Sequence, residues 1–160
     1  MTVAYVGIGS NLEEPVRQVR SALVELDRLP HTRVVKQSSL YRSAPIGHAD
    51  QPDFVNAVVQ LETGLPAERL LAEIQEIEER HGRKRSFPNA PRTLDLDVLL
   101  FGEREFHSPG LRIPHPRMHE RAFVLKPLLE IAPAISIPGI GQAQGRLAAC
   151  ADQVVQKILG

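Results

Sequence analysis

Along this chain the hydrophobic period switches between two residues and 3.6 residues in the order strand, helix, strand, strand, helix, strand. Few small folds satisfy that order. Thr2 to Ile8 is a short apolar run closed by a turn at Gly9, Ser10 and Asn11. Pro15 suits the first turn of a helix, and Val16, Val19, Leu23 and Leu26 recur on one face after it. Val34 to Tyr41 and Phe54 to Leu61 read as strands, joined by SAPIGHADQPD, which is long for a hairpin loop. Pro66 opens a second helix with Leu70, Leu71, Ile74 and Ile77 on one face, ending near Gly82. Thr93 to Phe101 is the next strand.

This order predicts an α+β fold, the ferredoxin-like split βαβ arrangement of an antiparallel sheet with helices packed on one face. The last third extends that core. Phe106 starts a short strand, RIPHPRMHER is a proline-interrupted loop, Ala122 to Ile131 a short helix, and Arg146 to Leu159 a final amphipathic helix. With no repeat and no linker, residues 1–160 are expected to form one domain, and a chain of this length can bury roughly 70% of its unfolded surface.

Charge narrows the ligand. Nineteen basic and nineteen acidic residues sum to zero, which disfavours a protein that covers many nucleic-acid phosphates, and 4% aromatic residues fit poorly with base stacking. Positive charge is instead local: Arg80, His81, Arg83, Lys84, Arg85 and Arg92 follow an acidic helix. That pattern suits a small anionic ligand. The single cysteine, Cys150, cannot form an internal disulfide and reads as a small buried apolar residue. The N-terminus lacks the pattern of a signal peptide and no segment reaches membrane-spanning length, so a cytoplasmic location is expected.

The sharpest chemical signal is PRTLDLDVLLF, Pro91 to Phe101. Strand alternation puts Leu94, Leu96, Val98 and Leu100 on one face and Thr93, Asp95, Asp97 and Leu99 on the other. The two carboxylates are then about 6.6 Å apart along the strand. Their oxygens can converge on ions about 3.5 to 4 Å apart, the spacing of a two-metal phosphoryl-transfer site. Aspartate is depleted in strands and like charges on one face repel, so a cation between them is favoured over a solvated face. Hard oxygens beside a nucleotide point to magnesium.

Three weaker signals surround it. The loop GRKRSFPNAPR, Gly82 to Arg92, can clamp phosphates with guanidinium forks. In IPHPRMHER, His115 and His119 lack zinc-site spacing, so polyphosphate contact by His115 and Arg121 is the simpler reading. On the strand Phe54 to Leu61, Phe54 and Asn56 share a face and can stack on and hydrogen-bond a flat heterocycle. No GxGxxG and no GxxxxGK[ST] occurs, so ATP would bind by another scheme.

Taken with GIGSN, SSLYRSAP, QPDFVNAVV, IQEIEERHGR and IPHPRMHERAFVLKPLLEIAP, the strand PRTLDLDVLLFG makes the chain from Met1 to Pro133 resemble the 6-hydroxymethyl-7,8-dihydropterin pyrophosphokinase family. The resemblance implies transfer of the β,γ-diphosphate of ATP to the pterin alcohol, with AMP as the other product, and two magnesium ions held by Asp95 and Asp97. It implies an ATP site of Gln75, Glu78, Val98, His115 and Arg121, with Arg83, Arg85 and Arg92 in the phosphate-clamping loops, and a catalytic group of Arg83, Arg92, Asp95 and Asp97. Pterin contacts are expected from Ser43, Ala44, Ile46, Phe54, Asn56 and Phe123. The partners are these two small molecules, with neither nucleic acid nor membrane, and a monomer is expected.

The sequence departs from the family in places. The usual Arg-Trp-Gly is replaced by a stretch reading Phe87, Pro88, Asn89 and Ala90, which suggests Phe87 either as an apolar cover over ATP or as an anchor of the loop base. Pro116 stands where an aromatic is common, and Gly110 where an arginine is often seen, with Arg112 nearby as its substitute in the ATP site. Polymerase palms and nucleotide cyclases also pair aspartates on a split βαβ sheet, but they attack the α-phosphorus.

Overall fold

The structure is a computed structural model, and it describes residues 1–45, 51–82 and 93–158. The first strand, β1 (Thr2–Ser10), leads into α1 (Pro15–Asp27), β2 (Thr32–Gln37), β3 (Tyr41–Ser43) and β4 (Phe54–Thr63). The chain continues through α2 (Ala67–Arg80), β5 (Asp95–Phe101) and the hairpin β6 (Phe106–Ser108) and β7 (Leu111–Ile113). After α3 (Ala122–Ile131) come β8 (Ser136–Ile137), β9 (Gly141–Gln142), α4 (Gln144–Leu147) and β10 (Val155–Lys157).

All pairings in the main sheet are antiparallel. Its order is β10, β3, β4, β1, β5, with β2 also paired to β4. Counting β2 and β3 as one interrupted strand, this is the ferredoxin-like order expected for a split βαβ sheet. The alternation in β1 and β4 decides which face is which. Ala4, Val6 and Ile8 join Val55, Ala57, Val59 and Leu61 in a core closed by Val19 and Leu26 of α1 and Leu70, Ile74 and Ile77 of α2. Helix α2 ends where Gly82 adopts a φ of +78°, a left-handed conformation that glycine takes at no steric cost.

The other face is also covered. Tyr41, Val58, Leu99 and Leu100 pack against Val124, Leu125, Leu128 and Ile131 of α3, so the helices do not lie on one face only. Leu100 was expected beside Leu96. A β-bulge between Tyr5 and Val6 shifts the β1–β5 register, sending both Leu99 and Leu100 to the α3 side and Phe101 back to the α1–α2 side.

Two further expectations are corrected. The single strand from Val34 to Tyr41 is broken into β2 and β3, because Ser38 leaves the regular ladder. Its hydroxyl accepts from the Val58 N–H at 2.9 Å and donates to the Ser39 carbonyl at 2.7 Å. The helix from Arg146 to Leu159 does not form over that range. Helix α4 and a 3-10 turn at Ala148–Cys150 carry the chain only to Cys150, which is buried as expected, and residues Val155–Lys157 become a strand on the edge of β3. Val154 is 66% exposed and Val155 is buried, an alternation of period two, and the backbone groups on β3's edge gain a partner. No helix among the described residues is long and apolar enough to cross a membrane.

Candidate active site

The strand β1 runs on through Gly9 and Ser10, where a turn was expected, and its end, with Asn11, organises the site. The Ser10 hydroxyl donates to the Thr93 carbonyl just ahead of β5. Asn11, almost fully buried, donates from Nδ2 to Gln51 Oε1 at 2.7 Å and to the Pro52 carbonyl at 3.0 Å, just ahead of β4. The end of β1 and Asn11 after it thus fix the starts of both strands that flank β1.

Between them, on the α3 side of the sheet, lies a pocket. Asp95 and Asp97 of β5 line one side of it, Phe54 and Asn56 of β4 the other, and Ser43 and Ala44 close the end. Arg121 and Phe123, at the start of α3, form the roof, the guanidinium carbon 5.5 Å from the Phe123 ring centroid. Asn56 is oriented by the Ser43 hydroxyl, which donates to its Oδ1 at 2.6 Å. Its amide nitrogen therefore lies over Gly9, where a Cβ would sit 3.2 Å from that nitrogen.

The floor was missed by the sequence reading. Gly7 and Gly9 alternate with core residues on β1 and present no side chain to the pocket. A Cβ at Gly7 would meet Leu99 at 3.4 Å. Two glycines spaced by two on a strand signal that something approaches the backbone closely, and that was the available clue.

Eight expected residues thus meet in one pocket: Ser43, Ala44, Phe54, Asn56, Asp95, Asp97, Arg121 and Phe123. Gln75, Glu78, Val98, Arg112 and His115 do not line it. Gln75 and Arg112 are exposed on α2 and β7, and Val98 is in the α1–α2 core. Glu78 is 2% exposed, and its Oε2 accepts from the Leu96 N–H at 2.8 Å, so its side chain faces the backbone of β5 rather than the pocket. Ile46, Arg83, Arg85, Phe87 and Arg92 lie outside the described residues.

His115 stands beside the pocket. Burial, with the charges of Arg121 and Arg117, pushes its imidazole down to about 4 against the opposing pull of Asp95. The ring is therefore neutral near pH 7. Its Nδ1 accepts from the Arg117 N–H at 3.2 Å, which leaves the proton on Nε2 as a donor.

Among the described residues no three His, Cys, Asp or Glu side chains cluster as a self-sufficient metal cage. Two carboxylates open to a pocket fit an ion that takes its remaining ligands from phosphate oxygens and water, which is how magnesium binds nucleotides. Tetrahedral zinc does not fit that donor set.

A ferredoxin-like sheet with paired carboxylates, an arginine roof and an aromatic slot defines the class, an α+β protein arranged for chemistry on an anionic ligand beside a flat ring. Residues 5–133 match the sequence model of the 7,8-dihydro-6-hydroxymethylpterin-pyrophosphokinase family. The chain belongs to that family. It is 47% identical over 156 residues to the 2-amino-4-hydroxy-6-hydroxymethyldihydropteridine pyrophosphokinase of Pseudomonas aeruginosa, covering 98% of this chain and 96% of the relative. The Haemophilus influenzae protein of the same name is 47% identical over 138 residues, 86% of each chain. Among solved structures, one described as HPPK-DHPS in complex with substrates superposes with a TM-score of 0.70 at 12% identity. That match covers 94% of this chain and 44% of the other, so it speaks to the fold alone.

Proposed function

We propose that the protein is the transferase of folate biosynthesis that moves the β,γ-diphosphate of ATP to 6-hydroxymethyl-7,8-dihydropterin. The hydroxymethyl oxygen attacks the β-phosphorus, the bond from that phosphorus to the α-phosphate oxygen breaks, AMP departs and the hydroxyl proton is released. One observation carries this reading: the carboxylates of Asp95 and Asp97 open into the same pocket as Phe54, Asn56 and Phe123. The place for a flat ring and the place for phosphate charge are therefore adjacent, as in-line transfer requires.

In this reading Phe54 and Phe123 bracket the pterin ring, and Asn56, held by Ser43, hydrogen-bonds its edge. Arg121 and the Nε2 proton of neutral His115 face the phosphates, where preorganised donors stabilise charge without reorganising. Asp95 and Asp97 would hold two magnesium ions, which when bound neutralise phosphate charge and align the transferred group. Arg83, Arg85 and Arg92 would clamp the phosphates, while Gln75, Glu78, Val98 and Arg112 would border the nucleotide through backbone or outer contacts. We further propose that it acts as a monomer in the cytoplasm, where ATP is available.

The test is to incubate the protein with magnesium, the reduced hydroxymethylpterin and ATP labelled at the β or γ phosphate. AMP and a pterin carrying either label are expected. ADP with a singly phosphorylated pterin, or free pyrophosphate from attack at the α-phosphorus, would overturn the reading.

A further inference from the structure

Arg121 occupies the position before the first turn of α3, and no side chain of that turn caps the helix. The first backbone N–H groups of a helix have no partner within it, so they need one from elsewhere. Ala122 finds its partner 31 residues away: its N–H donates to Gln153 Oε1 at 2.9 Å. The same amide group donates from Nε2 to the Glu120 carbonyl at 2.8 Å. Gln153 thus grips the peptide groups on both sides of Arg121, as a neighbouring strand would.

The surroundings make this grip directional. Gln153 ends the turn after Cys150, its own N–H donating to the Cys150 carbonyl at 2.9 Å. Two residues later Val155 pairs with Ser43 of the pocket's end wall, and its carbonyl accepts from Lys126 of α3 at 2.9 Å. One short segment therefore holds both the roof and the end of the pocket. It lies beyond the residues matched by the family model, which stop at 133.

We propose that Gln153 is a positioning residue for the transfer reaction, fixing the backbone at Arg121 so that its guanidinium is held over the phosphate side of the pocket. This rests on the function proposed above. A guanidinium displaced by a fraction of an ångström loses its alignment with the phosphate, although nothing that touches substrate has changed. Arg121 stacks on Phe123, so the same grip also sets the roof above the ring.

The test compares Gln153→Ala, Gln153→Met, Arg121→Ala and the double variant Gln153→Ala with Arg121→Ala. Methionine keeps the length and packing of glutamine without its two hydrogen bonds. Both single variants at 153 are expected to lower kcat about tenfold with a smaller change in KM for ATP, while the melting temperature stays close to that of the parent. In the Arg121→Ala background the substitution should cost nothing further, the signature of action through Arg121. Full additivity in that cycle, or normal kcat in Gln153→Met, would overturn the proposal.

Amide hydrogen exchange supplies a readout independent of turnover. Ala122 should lose protection in Gln153→Ala while the β10 amides keep theirs, and unchanged protection at Ala122 would count against the grip itself. If the parent protein forms no AMP, the proposed function falls, and the exchange result alone then decides whether Gln153 holds this turn.

Discussion

On β5 adjacent side chains have opposite duties, and substitution should separate them. Asp97 faces the pocket, whereas Leu96, 3% exposed, is packed among the core residues under α1 and α2. Asp95→Ala and Asp97→Ala are expected to lower magnesium-dependent turnover by about a hundredfold or more while the protein still unfolds cooperatively near the parent temperature. Leu96→Ala should instead leave a cavity and cost about 2 to 5 kcal/mol in denaturant unfolding. Near-normal turnover in either aspartate variant would remove the metal role from that carboxylate. These faces were legible in the sequence because a period of two fixes the face of every residue up to a bulge. Leu100 was misplaced for that reason, since one extra residue in the ladder inverts the alternation without changing the local pattern.

At the scale of elements, β5 is an edge strand of the sheet, and α2 shields it with a buried carboxylate. A single sequence carries no sign that the Glu78 side chain turns inward to the Leu96 N–H. Glu78→Ala would leave the Leu96 N–H without that acceptor beside the core and should destabilise the protein by about 1 to 3 kcal/mol in urea unfolding. Stability equal to that of the parent would show that the bond contributes nothing net. The α2 pattern itself was legible, and so were α1, α3 and β4. What failed were elements whose identity depends on distant partners. The break at Ser38 exists because Val58 offers a bonding alternative 20 residues away. β10 exists because the edge of β3 needs pairing, although the spacing of Leu147, Cys150, Val154 and Ile158 has a helical period. The pocket was legible where it uses side chains with evident chemistry and hidden where it uses their absence, at Gly7 and Gly9.

For the whole molecule, the docking of α3 against the sheet depends on a junction of three segments far apart in sequence. Glu130, at the end of α3, accepts from the Tyr41 hydroxyl at 2.6 Å, the Ser39 hydroxyl at 2.8 Å and the Ser39 N–H at 3.1 Å. Lys157 of β10 adds its charge. Burial pushes the Glu130 carboxyl up, but the hydrogen bonds from Tyr41 and Ser39, with Lys157, outweigh it and hold the group below its ordinary value of 4.5. The Tyr41 phenol is correspondingly raised, by burial and then by Glu130. A carboxyl held low in the folded state contributes stability that is fully present above the unfolded value and is lost as pH falls through the folded one. Glu130→Gln keeps an acceptor for Tyr41 but cannot ionise, so it lacks the part of the stability that varies with pH. The difference in unfolding free energy between parent and variant is therefore expected to be largest and constant from neutrality down to about pH 5, then to shrink as the solution is made more acid. Denaturant unfolding at a series of pH values between neutrality and the acid limit measures it directly. A difference that stays the same throughout would mean that Glu130 acts only as a neutral acceptor, and that α3 is held to β3 by packing and uncharged hydrogen bonds rather than by an ionised carboxylate.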